Sequence, residues 1–521
     1  MKPIRLVRGF VTVGGWTLMS RVLGFVRDAL IAAYLGAGPA AEAFVVAFSL
    51  PNMFRRFFAE GTLNVAFVPL FSKKLETTGD TEGDTEGDAK RFAEDTLSVL
   101  ATVLIVLTLL ATLFMPALVA AMAAGFIGDA RFDLAVDFGR IAFPYVVFIS
   151  LGALFSGILN ATGRFAAAAA APVLLNVVLS VAMITAAKLG WPVDRALIWA
   201  VPVAGLAQLL MVWRAAAKVG FGLRPRLPRL TPELKRLFLL AGPAALAGGV
   251  VQINLLIGRQ VASFSETGAL QYLNLADRLY QLPLGVVAIA IGVVLLPDLS
   301  RRLQAGDGQG ARDAYNRAFE FALLLTVPAA IALIVIPEPL ISFLFQRGAF
   351  TPEDAHKTAY AVAIYGLGLP AFVMQKVLQP LYFAREDTKT PFRFALYSMV
   401  INAAVAIGLS FFIGYLAAAV ATTFAAWGMV ALLWFGKSDM GVEVHADPRL
   451  VRRAPRILIA SLMMGALLYG ANIALSPVFD LSRGLATLIL VSLGIVGYFA
   501  LAQAIGAVRF VELKGAVKRQ K

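Results

Sequence analysis

Five arginines lie inside stretches otherwise apolar enough to cross a bilayer: Arg21, Arg27, Arg55, Arg56 and Arg278. A cation at mid-bilayer costs between ~2.5 and ~10 kcal/mol, so such side chains persist where they face a wet cavity or a counter-charge. The guanidinium is a planar fork that binds phosphate oxygens in pairs and cannot be titrated away. Several converging arginines would therefore receive a large anion. Acids accompany them, at Asp28, Glu42, Glu60 and Asp277, and Arg259 stands near the outer end of its own run. These acids could be structural partners, with Arg27–Asp28 and Asp277–Arg278 neutralising one another, or parts of a gate over a cationic cavity. The residues leave both readings open.

The elements that must position these charges are membrane helices. The chain is 59% hydrophobic and 15% charged over 521 residues. Crossing ~30 Å of hydrocarbon takes roughly 20 helical residues, and fourteen apolar runs meet that length: 9–36, 41–72, 92–122, 134–160, 166–187, 196–217, 237–264, 269–299, 316–335, 358–383, 392–413, 415–436, 456–475 and 485–507. They are continuous, not alternating, which excludes a β-barrel. The fold expected is all-α and polytopic. With a cytoplasmic N-terminus, the opposite-side loops hold only Arg131, Lys188, Arg195, Arg347, Lys357 and Arg483 of the 46 Lys/Arg. That asymmetry obeys the positive-inside rule and places both termini in the cytoplasm. It also accounts for a net charge of +14 without nucleic acid.

Helix rise of ~1.5 Å per residue gives depth. Arg21 falls near the midplane, Arg27 and Asp28 about two turns nearer the outside, and Arg55 and Arg56 near mid-depth on the returning span. Asp277 and Arg278 lie about a third of the way in from the outside. Pro51, one turn before Arg55, removes an amide donor and should kink its helix. With Gly61, and with Pro283 and Gly285 in the eighth span, it offers bending points for rocking between two access states. There are no cysteines, and His356 and His445 fall in separate loops, so neither disulfides nor a histidine metal centre is expected.

A repeat divides the chain. Leu50-Pro51 recurs as Leu282-Pro283, and Val68-Pro69-Leu70-Phe71-Ser72-Lys73 is echoed by Leu296-Pro297-Asp298-Leu299-Ser300-Arg301. Six spans separate the copies, so both halves share one orientation, about an axis along the membrane normal. The division expected is residues 1–222, a basic linker 223–236 along the headgroups, residues 237–440, and in 441–521 two spans with charge-free cores, Ile457–Leu475 and Leu485–Ile505, and a basic tail. The acidic run GDTEGDTEGD at 79–88 lacks EF-hand spacing and reads as a solvated cytoplasmic loop.

Ser20-Arg21-Val22-Leu23-Gly24-Phe25-Val26-Arg27-Asp28 and Leu50-Pro51-Asn52-Met53-Phe54-Arg55-Arg56-Phe57-Phe58-Ala59-Glu60-Gly61 resemble the MurJ (MviN) family, as do Ala276-Asp277-Arg278-Leu279 and Tyr382 to Pro391. The family belongs to the multidrug/oligosaccharidyl-lipid/polysaccharide exporter superfamily. The resemblance implies fourteen helices in two lobes and a lipid II flippase of the bacterial inner membrane. Its essential cavity arginines map onto Arg21, Arg27, Arg55 and Arg278, its gate acid onto Asp28, and its lipid-tail groove onto the last two spans. Ser49 and Gln281 stand where some members carry lysine and glutamate. Some members bind sodium through a seventh-helix carboxylate, where this chain has Asn254; a site shared with Asn402 and Thr422 would lack that acid. The expectation is a transporter and not an enzyme, without cofactor, with coupling to a monovalent cation left open. Its partners would be lipid II and membrane lipids, as a monomer that associates with the cell-wall synthesis machinery. An exporter of another polyprenyl-linked oligosaccharide would need a similar cavity. A multidrug-cation antiporter fits less well, because a cationic cavity repels its substrates. A polyprenyl-diphosphate transferase would need clustered aspartates for Mg²⁺, and a scaffold leaves the arginines unexplained.

Overall fold

A computed structural model describes residues 3–55, 64–76, 85–437 and 440–508. Every regular element among them is helical, and ten helical segments are long and apolar enough to cross a membrane. The chain is a multi-pass helical membrane protein. It divides into two compact units, Met1–Gln271 with Arg347–Phe350, and Tyr272–Gln346 with Thr351–Lys521.

The first unit holds α1 (Pro3–Leu35), α2 (Pro39–Arg55), α3 (Asn64–Glu76), α4 (Thr85–Leu113), α5 (Met115–Met122), α6 (Ala130–Ala142), α7 (Tyr145–Ala161), α8 (Phe165–Leu189), α9 (Val193–Ala217) and α10 (Pro232–Ser263). Two runs expected to be continuous are broken. The third breaks at Phe114, two residues before Pro116, and the fourth at Phe143–Pro144. Both breaks have one cause: a proline removes a helical donor and restricts the residue before it. The end of the acidic run, Thr85–Asp88, begins α4, and its residues up to 84 lie outside the described residues.

In lipid, helices associate through packing and small side chains more than through the hydrophobic effect. The Ala-rich start of α8 supplies small side chains, and α8 packs on α1 and α9 while α2 packs on α6. Toward the linker, Phe67 stacks on Phe71 and Phe92 at 5.3 and 5.6 Å, and Phe71 meets Phe221 edge-on at 5.3 Å. The basic linker, expected along the headgroups, is held on α4. The Arg226 guanidinium lies 2.6 Å from Glu94, the Arg224 backbone N–H also donates to Glu94, and the Arg226 N–H donates to Ser98 Oγ at 2.8 Å. Glu94 is almost fully buried. Thr231 then caps α10, which packs within this unit.

The second unit contains most of α11 (Ala269–Gln304), then α12 (Gly308–Val335), α13 (Pro337–Phe345), α14 (Pro352–Phe383), α15 (Lys389–Ile413), α16 (Leu416–Gly436), α17 (Pro448–Ala474), α18 (Ser476–Leu481) and α19 (Arg483–Ala504). A capping box between Thr351 and Asp354 starts α14. The buried alanines of α16 let it lie against α14 and α15. The last two long helices are integral to this unit: α17 packs on α12 and α19, and Tyr498 donates to the Leu324 carbonyl at 2.8 Å. The start of α17 is pinned by charge. Glu320 accepts from Arg453 at 2.5 Å and pairs with Arg449 at 3.1 Å, and Arg317 bridges Glu320 and Asp447.

Candidate functional site

Arg27 and Asp28 lie next to each other on α1, and both are buried, 6% and 3% exposed. The Arg27 Nε and Nη2 both donate to Asp28 Oδ1, at 3.0 and 2.6 Å. Nη1 donates to Asn176 Oδ1 of α8 at 3.0 Å, and the guanidinium sits 5.9 Å from the centre of the Phe48 ring. Burying such a cation is tolerable because its charge is matched and three of its five N–H groups are engaged. Arg21, six residues earlier on α1, is exposed.

Arg55 ends α2 and is half-buried, one turn after the buried Pro51. α2 continues through Pro51 to Arg55, and the Asn52 side-chain amide donates to the Phe48 carbonyl at 2.8 Å. Arg56, Glu60 and Gly61 lie outside the described residues. Arg259 is half-buried near the end of α10, one residue before Gln260, which accepts from the Ala124 N–H at 2.9 Å.

Glu42 is fully buried near the start of α2. It accepts from Arg131 Nη1 at 3.1 Å and from the Leu270 N–H at 2.9 Å. Arg131, read from sequence as an opposite-side loop residue, is 6% exposed. It opens α6, lies 4.4 Å over the Phe126 ring, and donates to Asp129 at 2.6 Å. Asp129 caps α6 from outside the span. The Arg131 backbone N–H, followed by its guanidinium, holds the Asp129 carboxyl below the usual carboxylate range. Close by, residues 347–350 dock on the end of α1: the Ala349 N–H donates to the Ala33 carbonyl at 2.8 Å, with Gly36 and Gly348 in left-handed conformations.

In the second unit Asp277 and Arg278 are half-buried neighbours on α11. Gln281 donates to Asp277 one turn on, and Tyr280 and Tyr365 both lie close enough to interact with that carboxylate. Tyr280 stacks on Phe372 and meets Tyr365 at a tilt, with centroids at 5.2 and 5.0 Å. Pro283 and Gly285 lie within α11, which continues through them. Asn402 is buried in α15, while the Thr422 hydroxyl bonds its own helix at the Ala418 carbonyl.

The stretch from Tyr382 to Pro391 is a clamp and not a part of the arginine set. Arg385 donates to the Met440 carbonyl at 2.9 Å and pairs with Glu443, and Tyr382 donates to the Leu433 carbonyl. Asp387 accepts the Thr390 N–H, which holds its carboxyl below the ordinary range. Sequence reasoning missed Asn176, Arg131 and Glu94. Asp129, an N-cap type two residues before Arg131, was a legible sign that a helix starts there.

These features define a polytopic helical membrane protein with a buried, charge-matched arginine, Arg27, on its first helix. The solved structure titled "Lipid II flippase MurJ, inward closed conformation" superposes with a TM-score of 0.79 at 25% identity, over 95% of this chain and 98% of that one. An inward-facing multidrug resistance MATE family transporter of the MOP superfamily shares the fold, with a TM-score of 0.65 at 15% identity, over 82% and 99% of the two chains. The family described as "Lipid II flippase MurJ" matches residues 31–491. The "Probable lipid II flippase MurJ" of Rhizobium meliloti is 46% identical over 99% of this chain and 96% of that protein. The "Lipid II flippase MurJ" of Burkholderia cenocepacia is 35% identical over 77% of each. The chain belongs to the MurJ lipid II flippase family.

Proposed function

We propose that this protein moves lipid II, the undecaprenyl-diphosphate-linked peptidoglycan precursor, from the cytoplasmic to the periplasmic leaflet of the bacterial inner membrane. It acts as a transporter and not as an enzyme, with both termini in the cytoplasm. The observation that carries this reading is the buried, charge-matched Arg27 on α1, with Arg21 on the same helix and Arg55 on the next, in a chain that matches the family along residues 31–491. Arg21, Arg27, Arg55, Arg56 and Arg278 receive the diphosphate in a central cationic cavity through charge-assisted hydrogen bonds. Arg27, Asp28, Asp277 and Arg278 make and break an outer gate. The polyprenyl tail stays in lipid along the charge-free stretches of α17 and α19 that follow Arg456 and Arg483.

Alternating access needs an energy source. A charge crossing the full membrane field is worth ~2.3 kcal/mol per 100 mV. With the inside negative, the anionic lipid moves outward downhill, and the emptied cationic cavity is drawn back inward. The test is flipping of fluorescent lipid II in proteoliposomes, with and without an imposed potential and with ion gradients clamped. Flipping that slows when the potential collapses supports the reading. Unchanged flipping removes the potential as the driving force. Flipping of another polyprenyl-diphosphate glycolipid but not of lipid II would replace the substrate.

A further inference from the structure

We propose that Asn176 is the positioning residue that sets the direction of the Arg27 guanidinium for diphosphate binding; the substrate in this statement rests on the function proposed above. Ser20, Gly24 and Arg27 are spaced four and three apart, which puts them on one face of α1. A single α8 side chain lies against all three. Asn176 Nδ2 donates to the Ser20 carbonyl at 3.0 Å and to the Pro172 carbonyl at 3.2 Å, and Oδ1 accepts from Arg27 at 3.0 Å. A Cβ at Gly24 would come to 3.5 Å from Nδ2, so any longer side chain there would take the amide's place. Asn176 is 5% exposed.

The amide orientation is dictated by its neighbours. Arginine only donates and carbonyls only accept, so the oxygen faces Arg27 and the nitrogen faces the backbone. Aspartate cannot replace it, because a carboxylate would meet two carbonyl oxygens. Leucine fills the space and bonds nothing.

Asp28 alone cannot aim Arg27. Both of its hydrogen bonds from Arg27 fall on one oxygen, Oδ1, and lack the two-oxygen fork that fixes an arginine–carboxylate pair. One oxygen is a pivot. Asn176 supplies the second fixed point, and together they engage three of the five guanidinium N–H groups. The two others keep a set direction for an anion. Gly24 and Ser20 thus have one role with Arg27: they make room for, and anchor, the amide that aims it.

The test compares wild type, Asn176→Leu, Arg27→Ala and the double variant for the lipid II dependence of flipping in proteoliposomes, with each variant's Tm measured in detergent. Asn176→Leu should raise the half-saturating lipid II roughly tenfold, the loss of one hydrogen bond to a charged group, with the maximal rate kept. The double variant should match Arg27→Ala, because Asn176 acts only through Arg27. Asn176→Ala carries the same test should leucine disturb the α1–α8 packing. Additive losses in the double variant, or an unshifted Asn176→Leu curve, would overturn the proposal. Should wild type not flip lipid II, the proposed substrate falls. The Tm cycle then decides the positioning claim: coupled losses support the grip of Asn176 on Arg27, and additive losses refute it.

Discussion

Arg131→Met should be far more damaging than Glu42→Gln, although both break one ion pair. The two partners are unequally supported. Arg131 keeps Asp129 at 2.6 Å and the face of Phe126 when Glu42 is neutralised. Glu42 has 0% exposure and, without Arg131, retains only backbone N–H groups such as that of Leu270. Removing one partner of a buried pair typically costs ~3–5 kcal/mol when a charge is left stranded. A lost bond with the remaining charge still matched costs ~1–2 kcal/mol. With ~2.1 cal/mol/K of unfolding entropy per residue, a unit of this size should lose about 5–9 °C for Arg131→Met and about 2–4 °C for Glu42→Gln. The double variant Glu42→Gln/Arg131→Met should recover part of the larger loss. The assay is the Tm of purified protein in one detergent, read by fluorescence-detected size exclusion after heating. Equal losses in the two single variants, or a smaller loss for Arg131→Met, would refute the asymmetry and the burial argument behind it.

Three further outcomes follow from the second unit and from the loop at 347–350. Lys437, just past α16, is 6% exposed, lies 3.8 Å from the Trp434 ring centre and donates to the Val444 carbonyl. Burial lowers its pKa from 10.5 to about 8, so between those values the unfolded chain binds the extra proton. Stability should rise with pH across that window and be lowest below it; a Tm series on wild type and Lys437→Met should show the rise only in wild type. Glu320→Ala removes the buried acid shared by Arg317, Arg449 and Arg453, and should destabilise by ~3 kcal/mol and raise amide exchange in the first turns of α17 ahead of the rest of the helix. Gly348→Ala should cost at least ~2 kcal/mol, because φ is +56° and the new Cβ would lie 2.2 Å from the Ala33 carbonyl oxygen; an unchanged Tm would mean residues 347–350 are not docked on α1.

Helical membrane architecture was legible because length and apolarity are local properties. The two broken runs were legible in principle too, since Pro116 and Pro144 mark the breaks, but mean apolarity passes over a single proline. Charges inside spans announce themselves, which is why Arg27, Asp28 and Glu42 could be picked out. Their partners could not. Asn176 is 149 residues from Arg27, and Arg131 is 89 from Glu42; a neutral amide in an Ala-rich run carries no local sign that it contacts α1. Glu94 and Ser98 were hidden for the same reason, since a linker rich in arginine and proline looks alike whether it lies on lipid or on protein. The placement of Arg56, Glu60 and Gly61 lies outside the described residues.

The measurement that bears most directly on the function is lipid II flipping in proteoliposomes by wild type, Arg55→Ala and Arg278→Ala at matched protein levels. Each lost charge-assisted contact to the diphosphate is worth ~1.5–3 kcal/mol, which predicts a fall of roughly tenfold to a hundredfold in transport efficiency with folding retained. Wild-type rates in both variants would make these arginines structural and contradict the account.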